Sequence, residues 1–358
     1  VSARIPTIRD IALACGCHNS TVSRALSNSP LIAEAKRAEI LAKAEAMGWR
    51  PNPMVSIYMT HRRSTQLAQY QANIAFVISQ DVPTLQDLPH FMRVSLEGAR
   101  AQAAARGFTL EPILLRELGY DMKRLNRMLK SRGIPGVLLH AGEPDTDHFS
   151  KLDWPTFAVS TWGYSVLRND IHRAAFNWTQ GVRLAVDQLR LLSYRHMALI
   201  IIERFDTLTN FALSSTFYHL QNHHFLGEKF SVLVVPGDTK DPLGHIIKWL
   251  KRHRPQVVLG TAEVRVAADR LGWKIPNDLA MASPHYSSEW PDIAGLDQQP
   301  QILGANAIDL ITAQISRNER GIPFSPKLVL SSGIWVPGAS VQDMNPGNVR
   351  PAQATGAR

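Results

Sequence analysis

At 358 residues the chain exceeds one small domain and suits two or three. Hydrophobic residues make up 45% of it, enough for each part to bury a core. No apolar run approaches the roughly 20 residues that a membrane-spanning helix needs, and the net charge of +9 permits a polyanionic partner.

The charge is concentrated. Up to Arg63 nine cations (Arg4, Arg9, Arg24, Lys36, Arg37, Lys43, Arg50, Arg62 and Arg63) stand against four anions (Asp10, Glu34, Glu39 and Glu45). That surplus of five is over half of the total in under a fifth of the chain. The opening run Val1 to Pro6 lacks the apolar core of a secretion signal. The two cysteines, Cys15 and Cys17, sit too close together for a strain-free disulfide, and so sparse a usage fits a reducing compartment. The expectation is a cytoplasmic chain with no membrane partner.

In chain order, Thr7 is the N-cap candidate of a first helix running to about Cys15, with Ile8, Ile11 and Ala12 inward. Gly16 permits a tight turn. A second helix runs from about Asn19 to Leu26 with Val22, Ala25 and Leu26 inward. A third runs from about Ala33 to Met47 on a stripe of Ile40, Leu41, Ala44 and Met47, and Gly48 ends it. Pro51 and Pro53 break that helix, Met54 to Thr60 has room for one or two short turns, and Arg62 to Gln66 reads as a polar joint.

From Ala72 the pattern becomes strand then helix, repeated. Strand-like runs fall at 74–79, 109–114, 136–140, 156–160, 196–202, 231–235, 256–260 and 279–282. Helical stretches fall near 90–106, 121–132, 175–191, 208–223, 241–253 and 263–271. This alternation predicts parallel sheets with helices on both faces, arranged as two lobes with a cleft between them. The resulting fold class is an all-α head of three helices followed by a two-lobed α/β domain, which the resemblance described below makes a helix-turn-helix and a sensor. The expected boundaries are a head over 1–50, a hinge helix and linker over 51–71, a two-lobed domain over 72–342 and a disordered Gly/Pro/Ala-rich tail over 343–358. The chain is expected to cross between lobes near 161, 296 and 324.

The most specific segment is Thr7-Ile8-Arg9-Asp10-Ile11-Ala12, then Gly16, then Ser20-Thr21-Val22-Ser23-Arg24-Ala25-Leu26-Ser27-Asn28, with Lys36-Arg37 and Gly48-Trp49-Arg50-Pro51-Asn52-Pro53 further on. Across residues 6–53 it resembles the DNA-binding domain of the LacI family of transcriptional regulators. A helix-turn-helix needs a small residue at its turn, and its second helix must present polar groups opposite the buried face. Gly16 supplies the first; Asn19, Ser20, Ser23 and Arg24 supply the second. The resemblance makes Asn19 and Ser20 the variable base readers and Arg24 the arginine able to donate twice to a guanine edge. Thr7, Thr21, Ser23 and Asn28 fit phosphate positioning or the rim of the DNA contact.

Two departures stand in this half. Ala33 occupies the place where relatives carry a capping Ser or Thr. In the hinge, which in the family wedges a leucine into the minor groove, the matching positions hold Val55 and Tyr58. A minor-groove wedge and a linker helix packed on the sensor are both open readings.

Residues 72–342 resemble the family's effector domain, a fold shared with periplasmic sugar-binding proteins, on the strand–helix order, Gly98 and Gly107, and the stretch Gln298 to Ala307. Ligands in open α/β sheets bind beyond the carboxyl ends of the strands. The candidates there are Gln80, Asp81, His140, Thr161, Trp162, Glu203, Arg204, Glu263, His285 and Gln298, with Trp162 able to stack on a ring face. The family's sugar clamp is largely missing: Leu213, Ala262-Glu263 and Ser283-Pro284-His285 replace its polar residues. Either the effector is unlike a simple monosaccharide, or other residues recognise it, or the regulator needs none.

The resemblance implies a homodimeric regulator, usually a repressor, acting on inverted-repeat operator DNA under control of a small molecule, with carbohydrate one candidate class. The competing reading is a sugar receptor of the same sensor fold without a DNA-binding role. An enzyme is not expected, because no nucleophile elbow, phosphate-binding glycine loop or spaced metal-ligand set occurs. No cofactor or metal is expected either. His219, His223 and His224 lack a third ligand at metal spacing, and the two cysteines read as packed thiols.

Overall fold

The computed structural model describes residues 6–26, 29, 31–49, 72–142, 149–168, 170–222 and 227–345. Asn28, the hinge with Val55 and Tyr58, and the chain beyond 345 lie outside the described residues.

The head has helices α1 (Ile8–Ala14), α2 (Asn19–Leu26) and α3 (Glu34–Ala46). Thr7 caps α1 in a reciprocal box: the Asp10 amide donates to the Thr7 hydroxyl, and the Thr7 amide donates to the Asp10 carboxylate (2.7 Å). Gly16 takes φ +60° at the turn and Gly48 takes φ +75° after α3, where a side chain would be strained. Ala33 makes no side-chain cap, as its chemistry requires. Ile11, Ala12, Val22, Ala25, Ile40 and Ala44 form the core, and Cys15 and Cys17 pack at its edge. Fully burying Ile11, Val22 and Ile40 contributes roughly 1.5–3 kcal/mol each. Ile8 and Leu41, expected inward, are 38% and 45% exposed. Each lies off the narrow stripe that three short helices can close over.

The second region holds two six-stranded sheets. The first is built from β1 (Ala72–Ile78), β2 (Phe108–Leu114), β3 (Gly136–His140), β4 (Ala158–Trp162), β5 (His172–Phe176) and β11 (Leu328–Ser331), in spatial order β11-β5-β4-β3-β1-β2, all parallel. The second contains β6 (His196–Ile202), β7 (Lys229–Val235), β8 (Val257–Gly260), β9 (Ala280–Ser283), β10 (Ala294–Asp297) and β12 (Ile334–Val336), in order β12-β10-β9-β8-β6-β7. Only the β10–β12 pair is antiparallel there.

Both faces of each sheet are covered. Ile74, Phe76 and Ile78 enter one core, while Ala75 and Val77 enter the core on the opposite face. Met197, Leu199 and Ile201 are likewise separated from Ala198 and Ile200. The helices that do this include α4 (His90–Ala105), α5 (Met122–Ser131), α6 (Trp178–Leu191), α7 (Glu203–Leu208), α8 (Ala212–Asn222), α9 (Pro242–His253), α10 (Ala262–Arg270) and α11 (Pro300–Ser316).

The chain crosses between lobes at Asn177, at Gln298–Gln299 and at Ser332–Gly333. The first and third crossings come later than the expected 161 and 324, because β5 and β11 both complete the first sheet. β5 escaped the sequence reading because it carries a buried arginine. The Arg173 guanidinium donates to the Val166 carbonyl (2.7 Å), to the Arg168 carbonyl (2.5 Å) and to the Gly163 carbonyl. The crossings are stitched side by side: Asn177 N donates to Ser331 O (2.9 Å) and Gln299 Nε2 donates to Ser332 O (2.9 Å). Past Val341, the Met344 amide donates to Leu192 O (3.0 Å), so residues 343–345 rest on the second lobe.

Candidate nucleic-acid interface and ligand cleft

In the head, α2 buries Val22 and Ala25 and exposes Asn19, Ser20, Ser23 and Arg24; Thr21 is half-buried. The Thr7 hydroxyl, also exposed, donates to Asp10 Oδ2 (2.7 Å). No acidic residue occupies the first turn of α2, and Arg24 lies in its last turn. The exposed face therefore carries hydroxyls, an amide and a guanidinium with no carboxylate among them. Those groups can hydrogen-bond base edges and phosphates in a major groove. Ahead of the helix, His18 is an exposed residue that the sequence reading passed over. Its ring Nδ1 lies 2.8 Å from the Ser20 hydroxyl.

The sensing candidates gather where the carboxyl ends of the two sheets face each other. Arg204, at the start of α7, donates to Gly142 O beyond β3 (3.1 Å), directly joining the lobes. Phe91 of α4 meets His285 of the second lobe with ring centroids 4.9 Å apart. His285 Nδ1 accepts from Gln298 Nε2 (2.8 Å), so two of the candidates act as one unit. Burial pushes the His285 pKa down to about 4, assisted by His90 and opposed by Asp297 and Gln298. Burial alone pushes that of His140, at the end of β3, down to about 3. Both imidazoles are therefore neutral near pH 7.

Other candidates face elsewhere or are occupied. Asp81 is exposed and pairs with Arg116 (3.4 Å). The Thr161 hydroxyl is buried and donates to Leu139 O (2.9 Å). Glu203 Oε2 accepts from Gly237 N (2.7 Å) within its own lobe. Trp162, rather than offering an open stacking face, is fully buried between Phe76 (centroids 4.6 Å) and His140 (5.7 Å). Gln80, half-buried, follows β1. Among the described residues, three side-chain atoms at these strand ends are buried without a hydrogen-bond partner: Ser79 Oγ, Trp162 Nε1 and Glu263 Oε2. The reading also missed Phe91, Arg93 and Glu289. They sit on α4 and in the loop after β9 rather than at a strand end, so the strand-end rule does not find them.

A helix-turn-helix with a polar reading face, followed by a two-lobed α/β domain crossed by three strands of chain, defines a DNA-binding regulator with a sensing domain. Residues 7–52 match the family model described as "Bacterial regulatory proteins, lacI family". The NTD biosynthesis operon regulator NtdR of Bacillus subtilis (strain 168) is 23% identical over 91% of this chain and 99% of its own length. The HTH-type transcriptional regulator CelR of Thermobifida fusca is 27% identical over 39% of each chain. Among solved structures, a CelR–cellobiose complex superposes with TM-score 0.56 at 17% identity, covering 94% of this chain and 99% of that one. A lac repressor dimer bound to operator and the anti-inducer ONPF superposes with TM-score 0.54 at 15% identity, covering 95% and 100%. At those identities the structures bear on the fold, which is the fold of the LacI repressors. Residues 7–52 form a LacI-family DNA-binding domain, and the chain as a whole is similar to LacI-family transcriptional regulators.

Proposed function

We propose that this regulator binds inverted-repeat operator DNA as a homodimer, acts as a repressor, and is modulated by a small molecule held between its lobes. The observation that carries the reading is the polar, acid-free face of α2 opposite buried Val22 and Ala25. Asn19, Ser20 and Arg24 read base edges, while Thr7, Thr21 and Ser23 hold phosphates. Two-fold symmetry in the protein calls for two half-sites, and a dimer is the state named for the lac repressor structure of like fold.

The effector reading rests on the cleft. Its rim joins Arg204, His285 and Gln298, and Ser79 and Glu263 at the strand ends carry polar atoms without a protein partner that a ligand's hydroxyls can satisfy. Cellobiose is the ligand named for the CelR structure, and a carbohydrate is the class we propose here. A ligand that prefers one lobe arrangement changes operator affinity by its differential affinity for the two. Selection of duplexes from a random pool, repeated across a panel of sugars, tests this. A palindromic consensus whose capture responds to one sugar supports it, and capture without sequence preference contradicts it.

A further inference from the structure

We propose that His18 is a positioning residue that fixes the Ser20 hydroxyl as a hydrogen-bond acceptor toward DNA, so that Ser20 selects a base bearing an amino group. This rests on α2 being the reading helix. His18 stands immediately before α2, and its carbonyl accepts from the Thr21 amide (2.9 Å) and the Val22 amide (3.3 Å), the first bonds of the helix. Its ring takes the capping role as well, because Nδ1 lies 3.3 Å from the Ser20 amide and 2.8 Å from the Ser20 hydroxyl oxygen.

These two contacts determine the tautomer. A backbone N–H can only donate, so Nδ1 carries a lone pair and the ring proton sits on Nε2. With Nδ1 an acceptor, the Ser20 hydroxyl hydrogen must point back to it. What Ser20 then presents outward is oxygen lone pairs. In the major groove adenine N6 and cytosine N4 donate, whereas guanine O6 and thymine O4 accept. Ser20 held this way accepts from an adenine or cytosine on the strand it approaches and meets a guanine or thymine lone pair to lone pair. A serine with a rotating hydroxyl serves either group and discriminates little. The specificity at that position therefore belongs to the pair rather than to Ser20 alone.

The test is duplex selection with the full chain and its His18→Ala, His18→Asn and Ser20→Ala variants. The backbone bonds to the His18 carbonyl do not depend on its side chain, and the asparagine oxygen accepts as Nδ1 does, so His18→Asn also controls for loss of the cap. The parent is expected to favour amino over keto bases about fivefold at one position of each half-site, the worth of one net hydrogen bond. Ser20→Ala and His18→Ala should both lose that preference while keeping the rest of the consensus, and His18→Asn should retain it. A keto preference in the parent at the position sensitive to Ser20→Ala overturns the proposal, as does a full preference surviving in His18→Ala or no position responding to Ser20→Ala. In each of these cases the consensus itself survives. Absence of any consensus in the parent removes the DNA-reading role and this assignment with it.

Discussion

Arg93 and Glu289 meet across the cleft, guanidinium Nη2 to carboxylate Oε1 at 3.1 Å. Arg93 is anchored in the first lobe by donating to Leu88 O (2.7 Å), and beside it His90 approaches Ser288 Oγ (3.2 Å). Glu289, Ser288 and His285 all belong to the loop that follows β9, so this loop is the second lobe's grip on α4. The contact bears on the balance between lobe arrangements more than on folding.

Both partners of that pair are exposed, 38% and 53%, and such a pair contributes at most about 1 kcal/mol. Glu289→Gln should therefore leave the unfolding midpoint nearly unchanged. It should still shift the ratio of open to closed lobes toward open by up to about fivefold. Hydrogen exchange of amides around 86–93 and 284–290 checks this; identical exchange in parent and variant contradicts a latch role.

Close contact between α4 and α11 gives a second expectation. A Cβ at Gly304 would lie 1.9 Å from Ser95 O, and one at Gly98 would lie 2.0 Å from Gln301 O. Backbone, not a flexible side chain, blocks both positions. Gly98→Ala and Gly304→Ala should each cost about 1–3 kcal/mol by forcing the helices apart, read as a lowered denaturant midpoint. Midpoints equal to the parent's would mean that the two helices do not cross so closely.

The head stands on a small core, so one deletion there should act locally. Ile40→Ala removes a fully buried side chain, at a cost of about 2–5 kcal/mol. The head should lose its helical signal and duplex binding while the main thermal transition of the sensing domain stays where it was. A loss of both transitions together would argue that head and sensor fold as one unit.

Stability should also fall on acidification. His140 and His285 are held at about 3 and 4, against about 6.5 in an unfolded chain. Below pH 6.5 the unfolded chain binds protons that the fold does not, so the stability given by neutral imidazole is complete above that pH. It is then lost as pH falls toward 4 and 3, with a slope of up to about 1.4 kcal/mol per pH unit for each group. His140→Asn should flatten the decline between pH 6.5 and 4 in denaturant titrations. An unchanged slope would mean that His140 titrates normally in the fold.

The head was legible because its signals are local: Thr7 with Asp10, Gly16 at the turn, Gly48 after α3, and a clean stripe of Val22, Ala25, Ile40 and Ala44. The parallel strands from β1 to β9, except β5, were legible as apolar runs between helices. What escaped depends on contacts that leave no periodic mark in the sequence. β5 begins His172-Arg173, and the carbonyls of Gly163, Val166 and Arg168, with the Tyr164 ring 5.1 Å away, make a buried arginine tolerable there. α11 is apolar around most of its circumference and showed no helical face. The helix expected over 208–223 is α8, and α7 before it went unread; left-handed Asn210 and Phe211 (φ +55° and +60°) separate the two. Phenylalanine carries no turn signal, and buried Asp206 caps the restart by accepting from Ser214 N (3.2 Å). In the cleft, strand-end residues were found by rule, but whether a side chain is tied within its own lobe, as Glu203 is, or sealed, as Trp162 is, depends on neighbours from other elements.

Arg24 tests the reading helix most directly. Its guanidinium is exposed on the outer face of α2 and matches a guanine edge, a contact worth about 1–3 kcal/mol. Duplex affinity should be measured at one salt concentration for the selected operator and for a scrambled duplex, with parent and Arg24→Ala proteins. A fall of about fivefold to a hundredfold for the operator, with little change for the scrambled duplex, is the predicted result. Equal operator affinity for the two proteins would contradict it.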